Sequence, residues 1–526
     1  MDFLNSLVGS INDFLWTYII IVVLVGCGLW FTLSTKLVQL CALPEMVRLL
    51  TGDLGRRPSG RKAISSFQAF CVSTASRVGV GNIAGVAIAI VTGGPGAVFW
   101  MWVVAFLGAS TAYVESTLGQ IYKVHDKDAG MYLGGPAYYF ERCLGWRWYG
   151  ILFAVAATFA CGLFLIGPQA NGVASAMVQI FGEGQAVTTG IAGEVGSHRL
   201  IATACVLVLL SFIIFGGIRR IASFAQVIVP FMALAYIVLA MIIVFININR
   251  VPELLALIVS DAFNPAAGFG AAIGMGVKRG IYSNEAGQGT GAHAAAAAAV
   301  EHPVQQGLVQ AFSVYIDTLF VCTATALIIL MTKQYNIVAG QHFAGEATQY
   351  IATYLKDASG AVINADPGTT AFTQYATASV FGKSGPVLVA LATFFFAFTT
   401  ILAYYYIAET NILYLARKFG WERDVTLIVK LSAMLAVTYG AVGSAGYIWK
   451  LGDIGVGLNA WLNIVGLVII FFAAGRPTIR ALRDYERQQK EKATVYTFDP
   501  QALGIKHATF WEERIRAEAE KTKAKP

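Results

Sequence analysis

What most constrains this chain is how often it returns to an apolar run long enough to cross a bilayer. A bilayer core takes about 20 predominantly apolar residues per helix. Measured with that length, the chain divides into eleven expected spans: 14–40, 66–93, 96–122, 149–181, 199–216, 221–248, 258–299, 304–332, 379–415, 424–446 and 454–475. Three of these, 149–181, 258–299 and 379–415, are too long for one straight crossing, which predicts tilts, breaks or extensions beyond the membrane. Of the 526 residues, 57% are hydrophobic and 13% are charged, more apolar surface than a water-soluble core can use. The chain reads as an all-α polytopic membrane protein.

Basic residues alternate between the connections. The first holds Arg48, Arg56, Arg57, Arg61 and Lys62, the third Lys123, Lys127, Arg142 and Arg147, the fifth Arg219 and Arg220, the ninth Arg417, Lys418 and Arg423. The second connection holds none, the fourth Arg199, the sixth Arg250 and the tenth Lys450, while the tail from Arg476 to Lys525 is rich in charge. The positive-inside rule therefore expects a multi-pass cell-membrane protein with its N-terminus outside and its C-terminus cytoplasmic. The net charge of +7 is read as this asymmetry and not as a nucleic-acid footprint. The expected partners are the lipid bilayer and a substrate; no nucleic acid and no obligatory protein partner are inferred. Seven scattered cysteines show no zinc, haem or disulfide spacing, and "MDFLNSLVGSINDFLW" lacks the basic start of a cleaved signal peptide. The tail is expected to be a cytoplasmic helix with a disordered end, and 333–378 to cap the outer face.

Without the first span, two sets of five remain. The expected divisions are an extra N-terminal helix (1–42), a basic cytoplasmic loop (43–65), a first five-helix repeat (66–252), a second, inverted repeat (253–475) and the charged tail (476–526). The first helix of one set contains "VGVGNIAGVA", that of the other "IGMGVKRGIY"; Gly79, Gly81, Gly85 and Gly274, Gly276, Gly280 share the pattern G-x-G-x-x-x-G. An odd number of helices per set makes the copies run in opposite directions, and paired glycine interruptions in such halves point to a transporter's binding site. A break frees N–H and C=O groups, which survive in a membrane only against protein, water or a ligand. Freed carbonyls suit an alkali cation and half-helix N-termini suit a carboxylate. The bland alternative is close helix packing. It is preferred for Gly85, Gly94 and Gly96, and the functional one for Gly79 to Asn82, where a polar residue follows the pair.

No nucleophile–base set, metal cluster or phosphate loop suggests an enzyme or an ATP-driven pump. An ion channel is the rival of a different class, but a five-helix inverted repeat around broken helices suits alternating access better.

"GVGNIAGVAIAIVTGGPGAVFWMW", "GGPAYY" at Gly134 to Tyr139, "YSNEAGQGTGAHAAAAAA" from Tyr282, "HPVQQGLVQAFSVYIDTLFVCTATALIIL" and "FFFAFTTILAYYYIAE" together resemble the alanine or glycine:cation symporter family, over about residues 12 to 475. The resemblance implies a leucine-transporter-type fold with two broken helices and sodium-driven uptake of a small neutral amino acid, alanine or glycine first. It implies substrate contacts at Gly79, Gly81, Asn82, Gln169, Tyr404 and the stretch Ile273, Gly274, Met275, Gly276. It also implies a sodium site (Na+ as the coupling ion) from main-chain carbonyls near Ala75 and Val78 and the hydroxyls of Thr399 and Thr400. Val80 and Tyr404 depart from the threonine and tryptophan common in relatives. "NEAGQGTG" and "VQAFSVYIDT" resemble a glutamine-associated subgroup, which makes glutamine the second candidate substrate; carboxylates within the spans make a proton the second candidate ion.

Arg77, Glu115, Lys278, Arg279, Glu285, Asp317 and Glu409 fall within or near expected spans, where ionisable groups are costly. Glu115, Asp317 and Glu409 are read as scaffold or gate before substrate contact. Arg279 and Glu285 are too far apart on one regular helix to pair. His293 and His302 are expected to be solvated loop residues.

Overall fold

Ser65 opens the first broken helix: its hydroxyl accepts from Gln68 N while the Gln68 side chain returns to Ser65 N, a reciprocal cap that satisfies two otherwise orphaned donors. In the computed structural model Ser66–Arg77 then runs into the protein, stops, and resumes as Val80–Gly93 at an angle of 58°. The structure describes all residues except 1, 17, 53–62, 127–129, 190–192, 265–268, 339–349, 358, 423 and 524–526. Arg56, Arg57, Arg61, Lys62, Lys127, Arg423 and Lys525, used above in the charge count, lie outside the described residues.

Nine helices among the described residues are long and apolar enough to cross a membrane: Ser6–Ser34, Gly96–Ile121, Arg147–Phe181, Ser197–Ile214, Gly217–Ile246, Pro303–Thr332, Ser384–Phe419, Val425–Val442 and Ala445–Ala473. The bent pair makes a tenth. Each overlaps an expected span, although Ser6–Ser34 begins eight residues and Ala445–Ala473 nine residues before the expected start. The expected span 258–299 is different: it is divided among Val251–Ala262, Phe269–Asn284 and Thr290–Ala297, none long enough to cross alone. The count of eleven is therefore not reproduced. Among the described residues, strands form three short antiparallel hairpins in connections.

Small residues let these helices touch. A Cβ on Gly440 would lie 2.4 Å from the Gly167 carbonyl oxygen, and one on Gly276 2.4 Å from that of Ala97. Helix Gly96–Ile121 packs along Phe269–Asn284 and Pro303–Val314, while Ser384–Phe419 packs on Ser66–Arg77 and Ile166–Phe181. The two interrupted helices are thus enclosed on both sides. In the connection 333–378, Gly368 O accepts from Trp449 Nε1 at 2.7 Å, near the start of Ala445–Ala473.

The tail departs from expectation by docking on the protein. Pro477–Lys490 and Thr509–Lys523 are helices, and Trp511 is buried. Its Nε1 donates to Gln120 O at 2.9 Å, and Arg514 donates to Val300 O at 2.9 Å. Lys123 lies over the rings of Tyr132, Phe510 and Trp511, 4.5, 4.7 and 5.2 Å from their centroids. A cation among aromatic faces and buried apolar rings give the tail a reason to stay. The histidines also depart from expectation. His302 caps Pro303–Val314 and His293 lies inside Thr290–Ala297; both are buried because each ring is fully hydrogen-bonded within the packing.

Candidate functional site

Breaking a helix inside a membrane strands backbone groups, and three side chains meet those of the first break. Asn82 Oδ1 accepts from Gly79 N at 2.8 Å, closing the turn on itself. Gln169 Oε1, from Ile166–Phe181, accepts from Val80 N at 2.9 Å. Thr400 Oγ1, from Ser384–Phe419, lies 2.7 Å from Ala75 O and 3.2 Å from Val78 O. Each substitutes for a lost helical bond in surroundings where an unmet polar group costs several kcal/mol (order of magnitude). Gly79 must be glycine for a reason of space: a Cβ there would stand 2.7 Å from both Gln169 Oε1 and Thr400 Oγ1. At Gly81 a Cβ would come within 3.1 Å of the Tyr282 ring.

The second break is not at Ile273–Gly276. Those residues belong to the uninterrupted helix Phe269–Asn284, where Gly276 packs on Ala97 and Trp100 and a Cβ on Gly274 would meet nothing within 4 Å. The chain breaks later, between Asn284 and Thr290, where Glu285, Gly287 and Gly289 take φ of 58°, 90° and 76°. At about 1.5 Å per residue, Gly276 sits roughly 13 Å along the helix from Glu285. In the second copy Gly276 of the shared G-x-G-x-x-x-G serves packing and Gly274 faces open space, while the interruption lies in "NEAGQG". This break is pinned as firmly as the first. Glu115 Oε2 accepts from Gly289 N at 3.1 Å and Asn463 Nδ2 at 2.9 Å, Asn463 Nδ2 also reaches Gly287 O, and Gln288 Nε2 donates to Ile281 O. Glu115 is scaffold, as expected.

The structure brings the two breaks together. Glu285 Oε2 accepts from Ser76 Oγ at 2.6 Å, two residues before Val78, and from Thr290 Oγ1 at 2.8 Å. Asp317 makes the second link: its Oδ1 accepts from Asn82 Nδ2 at 2.6 Å and Ser283 Oγ at 3.0 Å, its Oδ2 from Thr318 Oγ1 at 2.7 Å. Asp317 lies in a π-helical stretch, Tyr315–Cys322, a widening that recurs at functional sites and here turns the carboxylate toward both breaks. Asp317, expected as gate or scaffold, and Glu285 both lie where the two breaks meet. Charge in a predominantly apolar run was the signal for both.

The expected residues fall into two groups. Gly79, Gly81, Asn82, Gln169, Tyr404, Ala75, Val78 and Thr400 gather at the first break, with the Tyr404 hydroxyl beside Glu285. Thr399 is adjacent, but its hydroxyl returns to Phe395 O and Phe396 O and reaches Met232 Sδ at 3.7 Å. Ile273, Gly274, Met275 and Gly276 stand apart. Elsewhere Asp453 takes both Lys278 Nζ at 2.8 Å and Arg279 Nη2 at 2.6 Å, and Tyr405 donates to Glu409. Arg279 and Glu285 do not pair, in agreement with their spacing.

Two broken helices meeting at side-chain oxygens and at main-chain groups held by exchangeable side-chain partners can hold a small zwitterion and an alkali ion. Comparison with known proteins decides the family: the model of the sodium:alanine symporter family matches residues 1–499. The chain belongs to the sodium:alanine symporter family. Among its relatives in that family, it is 49% identical to the putative sodium/proton-dependent alanine carrier protein YrbD of Bacillus subtilis, over 98% of this chain and 99% of that protein. It is 39% identical to the probable sodium/glutamine symporter GlnT of Bacillus subtilis, over 93% and 92%. The sodium/alanine symporter AgcS of Methanococcus maripaludis is 36% identical, over 89% and 95%. The symporter family is one of multi-pass membrane transporters, in keeping with the many apolar helices here.

Proposed function

We propose that this chain imports a small neutral amino acid, alanine or glycine first, together with sodium by alternating access. The observation that carries the reading is the convergence of Thr400 Oγ1 with the carbonyls of Ala75 and Val78 one residue from Gly79. Uncharged oxygens at the end of a broken helix suit an alkali cation. The substrate carboxylate is assigned to the main-chain N–H groups of Gly79 to Gly81, and Gln169 to the opposite wall, from which its Oε1 yields Val80 N to the incoming ligand. Asn82 holds the turn in shape. Thr399 completes the ion site after a change of rotamer. The N-terminus is assigned to the outside and the docked tail to the cytoplasm, by the distribution of basic residues.

Two second readings have specific support. Glutamine is favoured by "NEAGQGTG" and "VQAFSVYIDT", which resemble a glutamine-associated subgroup, and by Tyr404, smaller than the tryptophan common in relatives. Proton coupling is favoured by Asp317, a buried carboxylate linked to both breaks. Uptake of labelled alanine and glutamine into proteoliposomes, under sodium, potassium or proton gradients, tests all three. Sodium-driven accumulation of alanine is expected. Accumulation driven by protons alone moves the coupling to a carboxylate, and no accumulation of either amino acid contradicts the proposal.

A further inference from the structure

Glu285 is buried at 0% exposure in the second break, and neither the ion site nor the carboxylate site uses it. Its backbone φ of 58° is unusual for a residue with a side chain, and such strain persists only where the surroundings hold it. The side chain is aimed. Oε2 is fixed by Ser76 and Thr290, one donor from each interrupted helix, while Oε1 takes no hydrogen bond. A buried acceptor without a partner calls for one. The Tyr404 hydroxyl lies within hydrogen-bonding reach of the carboxylate. Near it too is Arg77, whose Nη1 donates to Gln310 O at 3.1 Å and whose Nε and Nη2 have no partner.

We propose that Glu285 Oε1 receives the α-ammonium group of the transported amino acid. The inference rests on the amino-acid reading of the site and deepens it by adding an anionic pole opposite the N–H groups of the first break. A bare cation would also satisfy Oε1, but it would have to sit beside the Arg77 guanidinium. A zwitterion brings no net charge, so the balance between Arg77 and Glu285 survives its arrival. The ligand class is therefore a primary α-amino acid, and the corresponding α-hydroxy acid should not be accepted.

The test compares wild type with Glu285→Gln, measuring alanine and lactate binding in saturating sodium and the sodium-induced rise in melting temperature without amino acid. A hydrogen bond to a charged group implies roughly 10- to 100-fold weaker alanine binding in the variant. The sodium-induced rise should be unchanged, which also shows that the variant folds, and lactate should not compete in either protein. Equal alanine affinity in the two proteins overturns the assignment. Loss of the sodium response in Glu285→Gln also overturns it, because the carboxylate would then be an ion ligand. Should Glu285→Gln not fold, Ser76→Ala removes one of the two donors that aim the carboxylate; alanine binding several-fold weaker supports the proposal, and unchanged binding contradicts it. Failure of the wild type to bind alanine or glutamine overturns the transport reading and the inference with it.

Discussion

Gly79 and Gly274 occupy the same place in the repeated pattern, and the structure gives them opposite tolerances. A methyl group on Gly79 would collide with Gln169 and Thr400, the two side chains that meet the first break, whereas one on Gly274 enters open space. Gly79→Ala should therefore reduce alanine uptake at least 10-fold, and Gly274→Ala should leave it within about twofold and add a few tenths of a kcal/mol of helix stability. Measured side by side, the two uptake rates check the relocation of the second break. Comparable losses would restore the original placement. Asn82 shows a related lesson. It was legible as a polar residue after a glycine pair, but its amide is consumed by Gly79 N and Asp317, so it shapes the turn. Type and position could be read from the chain; the partner could not, because Asp317 lies 235 residues away.

Among the elements, those set by local chemistry were read correctly. Ten of the expected spans match helices because twenty apolar residues in a bilayer have few other solutions. Interruption is harder to read. A helix breaks where backbone groups find partners elsewhere, and those partners, Gln169 and Thr400 for one break, Glu115 and Asn463 for the other, come from distant helices. The first break was found because Gly79 and Gly81 coincide with a polar residue. The second was misplaced by nine residues or so because glycine also serves packing, and Gly276 against Ala97 does only that. "NEAGQG" held the better clue: two glycines among polar residues, all within a span expected to be apolar.

For the whole molecule, the tail is where sequence reading fell shortest. Its charge suggested a cytoplasmic helix with a disordered end, but charged faces on Pro477–Lys490 leave Ile479, Leu482 and Tyr485 buried on the other side. His302 joins this helix to the transport core. Its Nδ1 accepts from Val304 N, so Nε2 carries the proton toward Asp484 at 3.4 Å. Burial pushes the imidazole below its ordinary 6.5, outweighing the pull of Asp484. A folded-state value below the unfolded one means the folded form binds fewer protons, so this contribution is full above pH 6.5 and fades as pH falls through the range below it. His302→Gln should lower the melting temperature more at pH 7.5 than at pH 5.5; a difference independent of pH would contradict the buried neutral ring. The central claim is that ion and amino acid share one site built from both breaks, and reciprocity of binding tests it most directly. Alanine affinity should rise with sodium and sodium affinity with alanine by the same factor, and Thr400→Val should weaken sodium binding roughly tenfold while reducing that factor. Alanine binding that is indifferent to sodium, in wild type and Thr400→Val alike, would contradict the account.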